Sequence, residues 1–234
     1  MLIRDSKHFY MGFFMALVFA GALVVIFSPI INGGNALKAS DNLFNTISKG
    51  SSYYLGKLET KNAKFFDKEI EVTVDIEKKE LIEKSKIILS KNDFTVNDGE
   101  ELIVKGSLGK LLSAAIKDSD EMYNNRGSVI AEKYGMPEKE AMYTFWNLLK
   151  GLEKSLTKQK SFAEAAWVKE VMKKAVEMSY NYYGITPEKA STKAGILGFA
   201  LVFYITYTLW WGYAIYFMFE GIGLTMSKGH KKEV

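Results

Sequence analysis

The sequence predicts an α+β membrane protein: two transmembrane helices flanking an extracytoplasmic domain with a small three-stranded β-α-β-β-α sheet and a helical hairpin. Three observations predict it. Two long stretches, Phe9–Ile31 and Ala194–Phe219, contain no Asp, Glu, Lys or Arg. Between them, apolar residues alternate with period two at Ile70, Val72 and Val74, the mark of a strand with one buried face. Further on, apolar residues recur at spacings of three and four over 142–156 and again over 168–182, the mark of two helices with matching seams.

The apolar stretches are 23 and 26 residues long. A hydrocarbon core about 30 Å thick needs roughly 20 helical residues at about 1.5 Å each. Both stretches can therefore span, the second with some tilt. The first is longer than the apolar core of about 7–15 residues in a signal peptide. The nearest small-x-small site, Leu37-Lys38-Ala39, has the wrong residue at one end. An uncleaved anchor is expected. Arg4 and Lys7 precede the first span, and Lys228, Lys231 and Lys232 follow the second. Short basic flanks stay on the cytoplasmic side. Residues 1–8 and 220–234 are accordingly expected in the cytoplasm. Residues 32–193 are expected outside it, periplasmic or extracellular, with the spans in the cytoplasmic (inner) membrane.

Within 32–193 the elements follow in order. Leu43, Ile47, Tyr54 and Leu58 lie on one face of a candidate helix over 36–59, which Gly50-Ser51-Ser52 can split. The alternating strand at 70–74 is followed by a helix over 77–91 carrying Leu81, Ile82, Ile87, Ile88 and Leu89. Phe94 and Val96 mark a second strand, Asn97-Asp98-Gly99-Glu100 a turn, and Leu102 and Val104 a third strand. Ser107 suits the N-cap of a helix with Leu108, Leu111, Leu112, Ala115 and Ile116 on its apolar face. The order over 68–122 places the first two strands parallel and the last two as a hairpin, with both helices on one face. It resembles a ferredoxin-like fold lacking its last strand, a likeness of topology that carries no function.

The helical hairpin is expected over 137–183. Pro137 suits the first helical position, and Met142, Phe145, Leu149, Leu152 and Leu156 form the first seam. Ser161 with Glu164 reads as a capping box, and Val168, Val171, Ala175, Met178 and Tyr182 form the second seam before Gly184, a suitable C-cap. Thr186-Pro187-Glu188 starts a helix expected to run without a flexible linker into the second span.

Composition excludes much chemistry. The chain has no cysteine and two histidines, His8 and His230, both outside 32–193. That segment therefore offers no thiol, no disulfide and no histidine for a Ser-His-Asp triad or a typical zinc site. No catalytic residues, cofactor or metal are expected. A net charge of +4 without a basic, aromatic-interleaved stripe gives no footprint for nucleic acid. Asp118, Asp120 and Glu121 lack the further ligands of a calcium loop and read as a solvated helix end.

The residues singled out are contact residues. Gly12, Ala16 and Ala20 recur every fourth position in the first span, a row that lets another helix approach closely. The second span crowds aromatic residues, with Tyr204, Tyr207, Trp210 and Trp211 near its centre beside Thr206 and Thr208. Phenol and indole groups there need protein partners. This face is expected to pack on a subunit, and a quinone or lipid pocket is the sharper alternative. Trp146 and Trp167, beside the hairpin seams, are expected to seal the core, with a partner surface as the alternative. Glu220 and Gly221 are expected to end the second span, and Ile222, Leu224 and Met226 to lie along the headgroups.

The expected role is a non-catalytic accessory or scaffold subunit of a membrane complex. Its partners are other membrane subunits, identical or different, and the lipid bilayer. One alternative is a membrane-anchored ligand-binding sensor that regulates a partner membrane protein. Another is a polysaccharide chain-length regulator, although the proline-rich stretch such proteins carry near the second span is absent.

Overall fold

The computed structural model describes residues 3–30, 34–96 and 102–224. The described chain is mostly helical with one small three-stranded antiparallel sheet. It divides into two compact units, 51–186 and a second formed by 1–50 with 187–234. The expected turn at 97–100, and Met226 with the basic tail and His230, lie outside the described residues.

In the central unit, the first helix breaks at Ser52–Tyr54, where the glycine-serine run sits. α3 (Leu55–Asn62) follows the break, and α2 (Ala36–Ser51) precedes it. Strands β1 (Glu69–Val74), β2 (Thr95–Val96) and β3 (Leu102–Ser107) form a sheet in the order β1-β3-β2. Both outer strands run antiparallel to β3, so β1 and β2 point the same way on either side of it. Ile70, Val72, Val74, Leu102 and Val104 are buried, while Glu69, Glu71, Thr73 and Lys105 are exposed. Only one face of the sheet is therefore covered. Glu71 and Lys105 are directly opposite in register and form an ion pair of 3.0 Å on the open face.

The helices α4 (Glu80–Ser90), α5 (Leu108–Tyr123), α6 (Gly127–Tyr134) and α7 (Glu138–Lys158) supply the core. The Ser107 hydroxyl caps α5 by accepting from Lys110 N at 3.4 Å, and every expected apolar residue of that helix is buried. The whole seam from Met142 to Leu156 in α7 is buried too. α7 also closes the free edge of β1: the Ser155 hydroxyl donates to Thr73 O at 2.6 Å, and the Gln159 amide to Glu71 O at 3.2 Å. A strand edge closed in this way cannot template pairing with another chain.

The hairpin's second arm differs from expectation. α8 (Phe162–Val171) passes into a π-helical segment (Met172–Glu177) and then α9 (Met178–Tyr182). The wider π-turn shifts the buried face: Val168, Val171 and Ala175 stay buried and are joined by Val176 and Ser179, while Met178 and Tyr182 are half-buried. Ser161 precedes the helix but makes no side-chain cap bond, so the capping box does not form. Pro137 stands one residue before α7, not in it. The two arms are antiparallel, as the pairs Glu153–Lys169 and Trp146–Glu177 show. Gly184 adopts φ +83°, the left-handed conformation that lets the chain leave the helix.

The second unit holds α1 (Ser6–Phe27), α2, a 3-10 turn (Ala190–Lys193) and α10 (Ala194–Gly221). Among the described residues, two helices, Ser6–Phe27 and Ala190–Gly221, are long and apolar enough to cross a membrane, with mean hydropathies of 2.4 and 1.5. α1 starts earlier than expected because Asp5 caps it, accepting from Lys7 N at 3.0 Å and His8 N at 3.2 Å. It stops at Phe27 because Ser28, held extended before Pro29, cannot continue the helix. No helix starts at Thr186. Instead Glu188 N donates to Thr46 O at 3.0 Å and Lys189 is extended. The Glu188 carbonyl passes so close to Gly50 that a β-carbon there would lie 2.6 Å from it. Gly50 therefore sits inside α2 as a point of close approach.

A candidate site in an antiparallel helix pair and its apolar groove

α1 and α10 pack antiparallel. At one end the Arg4 and Asp5 amides donate to Gly221 O at 2.8 and 2.9 Å. One turn and more along α1, a β-carbon on Gly12 would lie 2.6 Å from Ala214 O and 2.7 Å from Met218 N. A β-carbon on Gly221 would lie 2.5 Å from the Phe9 β-carbon. The two backbones thus touch through glycine on both sides, the close approach that small residues permit.

The expected row of small residues is only partly this seam. Gly12 is buried and Ala16 half-buried, but Ala20 is exposed. The physical reason is the helical period. A row at strict four-residue spacing turns around the helix at 3.6 residues per turn. The seam follows Phe9, Gly12, Ala16 and Phe19 instead, at spacings of three and four. On α10 it uses Trp210, Ala214 and Gly221.

Beyond Gly12, Phe19 faces α10. Its ring packs on Trp211, Tyr207 and Trp210 at centroid distances of 4.9, 6.3 and 6.3 Å. Past this plug lies a groove of about 980 Å³ walled by α1, α2 and α10. α1 contributes Ala22, Leu23 and Ile26, and α2 contributes Leu37, Ser40, Leu43 and Phe44. On α10 the lining runs from Ile196 to Trp210 and includes Tyr204 and Tyr207. The hydroxyls of Ser40 and Thr206 already donate to the carbonyls of Ala36 and Val202, so the walls are nearly all carbon.

The long helices carry one acid–base cluster, at the closed end. His8 Nδ1 donates to Asp5 Oδ2 at 2.6 Å, and His8 Nε2 lies 3.9 Å from Glu220 Oε2. The ring stacks on Phe217 at 5.9 Å. The hydrogen bond from His8 holds the Asp5 carboxyl below the usual carboxylate range. The cluster ties the two helix ends together. α10 ends at Glu220 and Gly221, where the sequence places its end.

No family model, no curated protein and no solved structure matches the chain. The groove and the faces of the helix pair must therefore be read from their own chemistry.

Outside the pair, Trp167 is 2% exposed, stacks on Phe65 at 5.5 Å and donates to Asn62 Oδ1 at 3.0 Å. It is a core residue, which leaves Trp146 as the surface candidate of the two. Trp146 is half-buried, and its indole reaches Glu177 at 3.3 Å. The acidic cluster splits in two. Asp118 is buried, not solvated: it accepts from Lys133 Nζ at 3.0 Å and from the Tyr134 hydroxyl, which in turn accepts from Asn92 Nδ2 at 3.0 Å. Burial, then the adjacent Asp118 charge, pushes the Tyr134 phenol well above its ordinary range. Asp120 takes the Tyr53 hydroxyl at 2.8 Å, and Glu121 pairs with Arg126. These contacts staple α5 to its neighbours.

Sequence reasoning missed Phe19, Ala214 and Gly221 in the seam and α2 as the third wall. The signal for two of them was present: Ala214 and Gly221 are small residues seven apart, one repeat of a helix–helix seam.

Proposed function

We propose that the protein is an integral membrane accessory subunit, non-catalytic, whose helix pair anchors it and receives a transmembrane helix of a partner. The observation that carries this reading is the uncovered side of α10. Thr208, Leu209, Gly212, Tyr213 and Tyr216 line a shallow dent on it, and nothing lies within 4 Å of a β-carbon added to Gly212. A glycine inside a helix costs about 0.5–1 kcal/mol relative to alanine, and no contact within the described chain offsets it here. Thr208, Gly212 and Tyr216 all border this dent. A small residue between aromatic ridges fits the close approach of another helix. Tyr213 is 55% exposed, and its phenol needs a partner inside a bilayer.

The antiparallel pair supports a two-span topology with both described ends on one side. The basic Arg4 and Lys7 at that end support a cytoplasmic placement, with 51–186 outside the cytoplasm.

Gentle solubilisation of the full chain, followed by sizing and mass spectrometry, tests the reading. A stable assembly with another membrane protein is expected, and Gly212→Leu is expected to release that protein while the chain itself stays folded. A lone monomer in native membranes would sink the proposal.

A further inference from the structure

We infer that the groove between α1, α2 and α10 is a binding site for one phospholipid of the adjacent leaflet, its acyl chains in the groove and its phosphate headgroup at α2. The inference rests on the membrane reading above and adds a ligand to it. Four observations converge.

The groove, roughly 980 Å³ and open to its surroundings, is walled almost wholly by carbon. Water there finds few partners, whereas acyl chains lose nothing by entering it.

Its depth suits one leaflet. Along α10 the lining spans Ile196 to Trp210, about 21 Å at about 1.5 Å per residue. Along α1 it spans Phe19 to Ile26, about 10 Å at the same rise. Half of a 30 Å core is about 15 Å.

Both ends are closed to a spanning helix. The Phe19 plug and the Gly12–Ala214 contact shut one end. α2 lies across the other. Its N-terminus follows α1 after residues 28–35, and its C-terminal turn is held at Glu188, just ahead of α10. Both ends of α2 are thus at the same end of the pair. Leu37 and Phe44, 59% and 48% exposed, sit on its groove side, as in a helix lying at a membrane interface.

The α2 end is basic. Segments 34–50 and 187–194 carry Lys38, Lys189 and Lys193 at their surface against Asp41 and Glu188, while Lys49 is buried. Lys193 pairs with Glu188 at 2.8 Å. One positive charge remains in net, complementary to an anionic headgroup.

The test uses the full chain in detergent, stripped of endogenous lipid and titrated with phosphatidylglycerol or phosphatidylcholine under native mass spectrometry. One phosphatidylglycerol per chain is expected, retained about fivefold better than phosphatidylcholine because about one net charge faces the headgroup. Ala200→Leu and Ala22→Leu, on opposite walls, are each expected to lower that occupancy severalfold. The unchanged thermal midpoint of either variant would show that it still folds. Equal lipid retention by the parent and both variants would overturn the site. So would endogenous mass belonging to a quinone or to a second protein chain at this groove. A parallel carbonate wash of cell membranes separates the two readings. Protein left in the pellet without bound phospholipid defeats the groove proposal alone, and protein in the wash defeats the membrane reading itself.

Discussion

The central unit and the helix-pair unit distribute size in opposite ways. In residues 51–186 the large side chains are inside: Phe145, Leu112 and Trp167 are buried, and lysines and glutamates cover the surface in ion pairs. In the α1–α10 pair the small residues are inside, Gly12, Ala214 and Gly221, while Phe14, Val24 and Tyr213 point outward. The proposed membrane setting accounts for both. In water, large apolar groups are driven together because burial removes the most apolar area. In the lipid proposed for the pair that drive vanishes, and helices associate by close backbone packing through small residues.

The sharpest way to break this comparison is one substitution made in each region. Phe145→Ala removes a fully buried ring and is expected to cost about 3–5 kcal/mol, seen as a lower urea midpoint of the full chain. Phe199→Ala, at a ring 70% exposed, is expected to shift the same midpoint by under about 0.5 kcal/mol. Equal costs would mean that α10 is packed like a soluble core.

Next in size is Gly12→Leu. It forces a side chain into backbone only 2.6 Å away, and overpacking of this kind costs about 1–3 kcal/mol. The chain lacks cysteine, so Phe19→Cys with Trp211→Cys can be bridged by a short thiol-reactive linker. The bridge yield is expected to fall markedly when Gly12→Leu is added. An unchanged yield would deny that glycine sets the closeness of the pair.

The smallest expected effect is on acid stability. Glu77 is held below its usual range by Lys154 and Lys150, Glu121 by Arg126, and Glu170 by Lys61 and Lys174. For a depressed carboxyl the contribution is present above its unfolded value of 4.5 and is lost as pH falls below that. The urea midpoint is expected to hold steady from neutral pH to about 5 and then to decline, modestly, since solvent-exposed pairs are weak. A midpoint that rises on acidification would contradict the pairing.

Much of the central unit was legible because local patterns and tertiary burial agree there. The alternation at 70–74 and the seam from Met142 to Leu156 are each read by a single solvent boundary. Where that agreement failed, a specific competitor won. The capping box at Ser161 gave way to a turn with Lys160 at φ +62°. Asp118 looked solvated because its neighbours in sequence are polar, yet Lys133 and Tyr134 come to it from α6. In the long apolar helices, Ala20 was misplaced because small residues at fixed spacing drift around a helix whose period is 3.6. The groove left no trace in sequence, since its walls come from segments far apart in the chain.

By itself, the sequence determined which segments are apolar throughout, which alternate and which repeat at 3-4 spacing, because those patterns depend only on backbone geometry repeated along one chain. It also removed cysteine and histidine chemistry from 32–193. The tertiary structure decided which face of each helix is covered. It set α1 against α10 with Gly12 on Ala214, left Thr208, Gly212 and Tyr216 bare, and closed a groove with α2. A helical period says which residues share a face, but only packing in three dimensions says what that face meets.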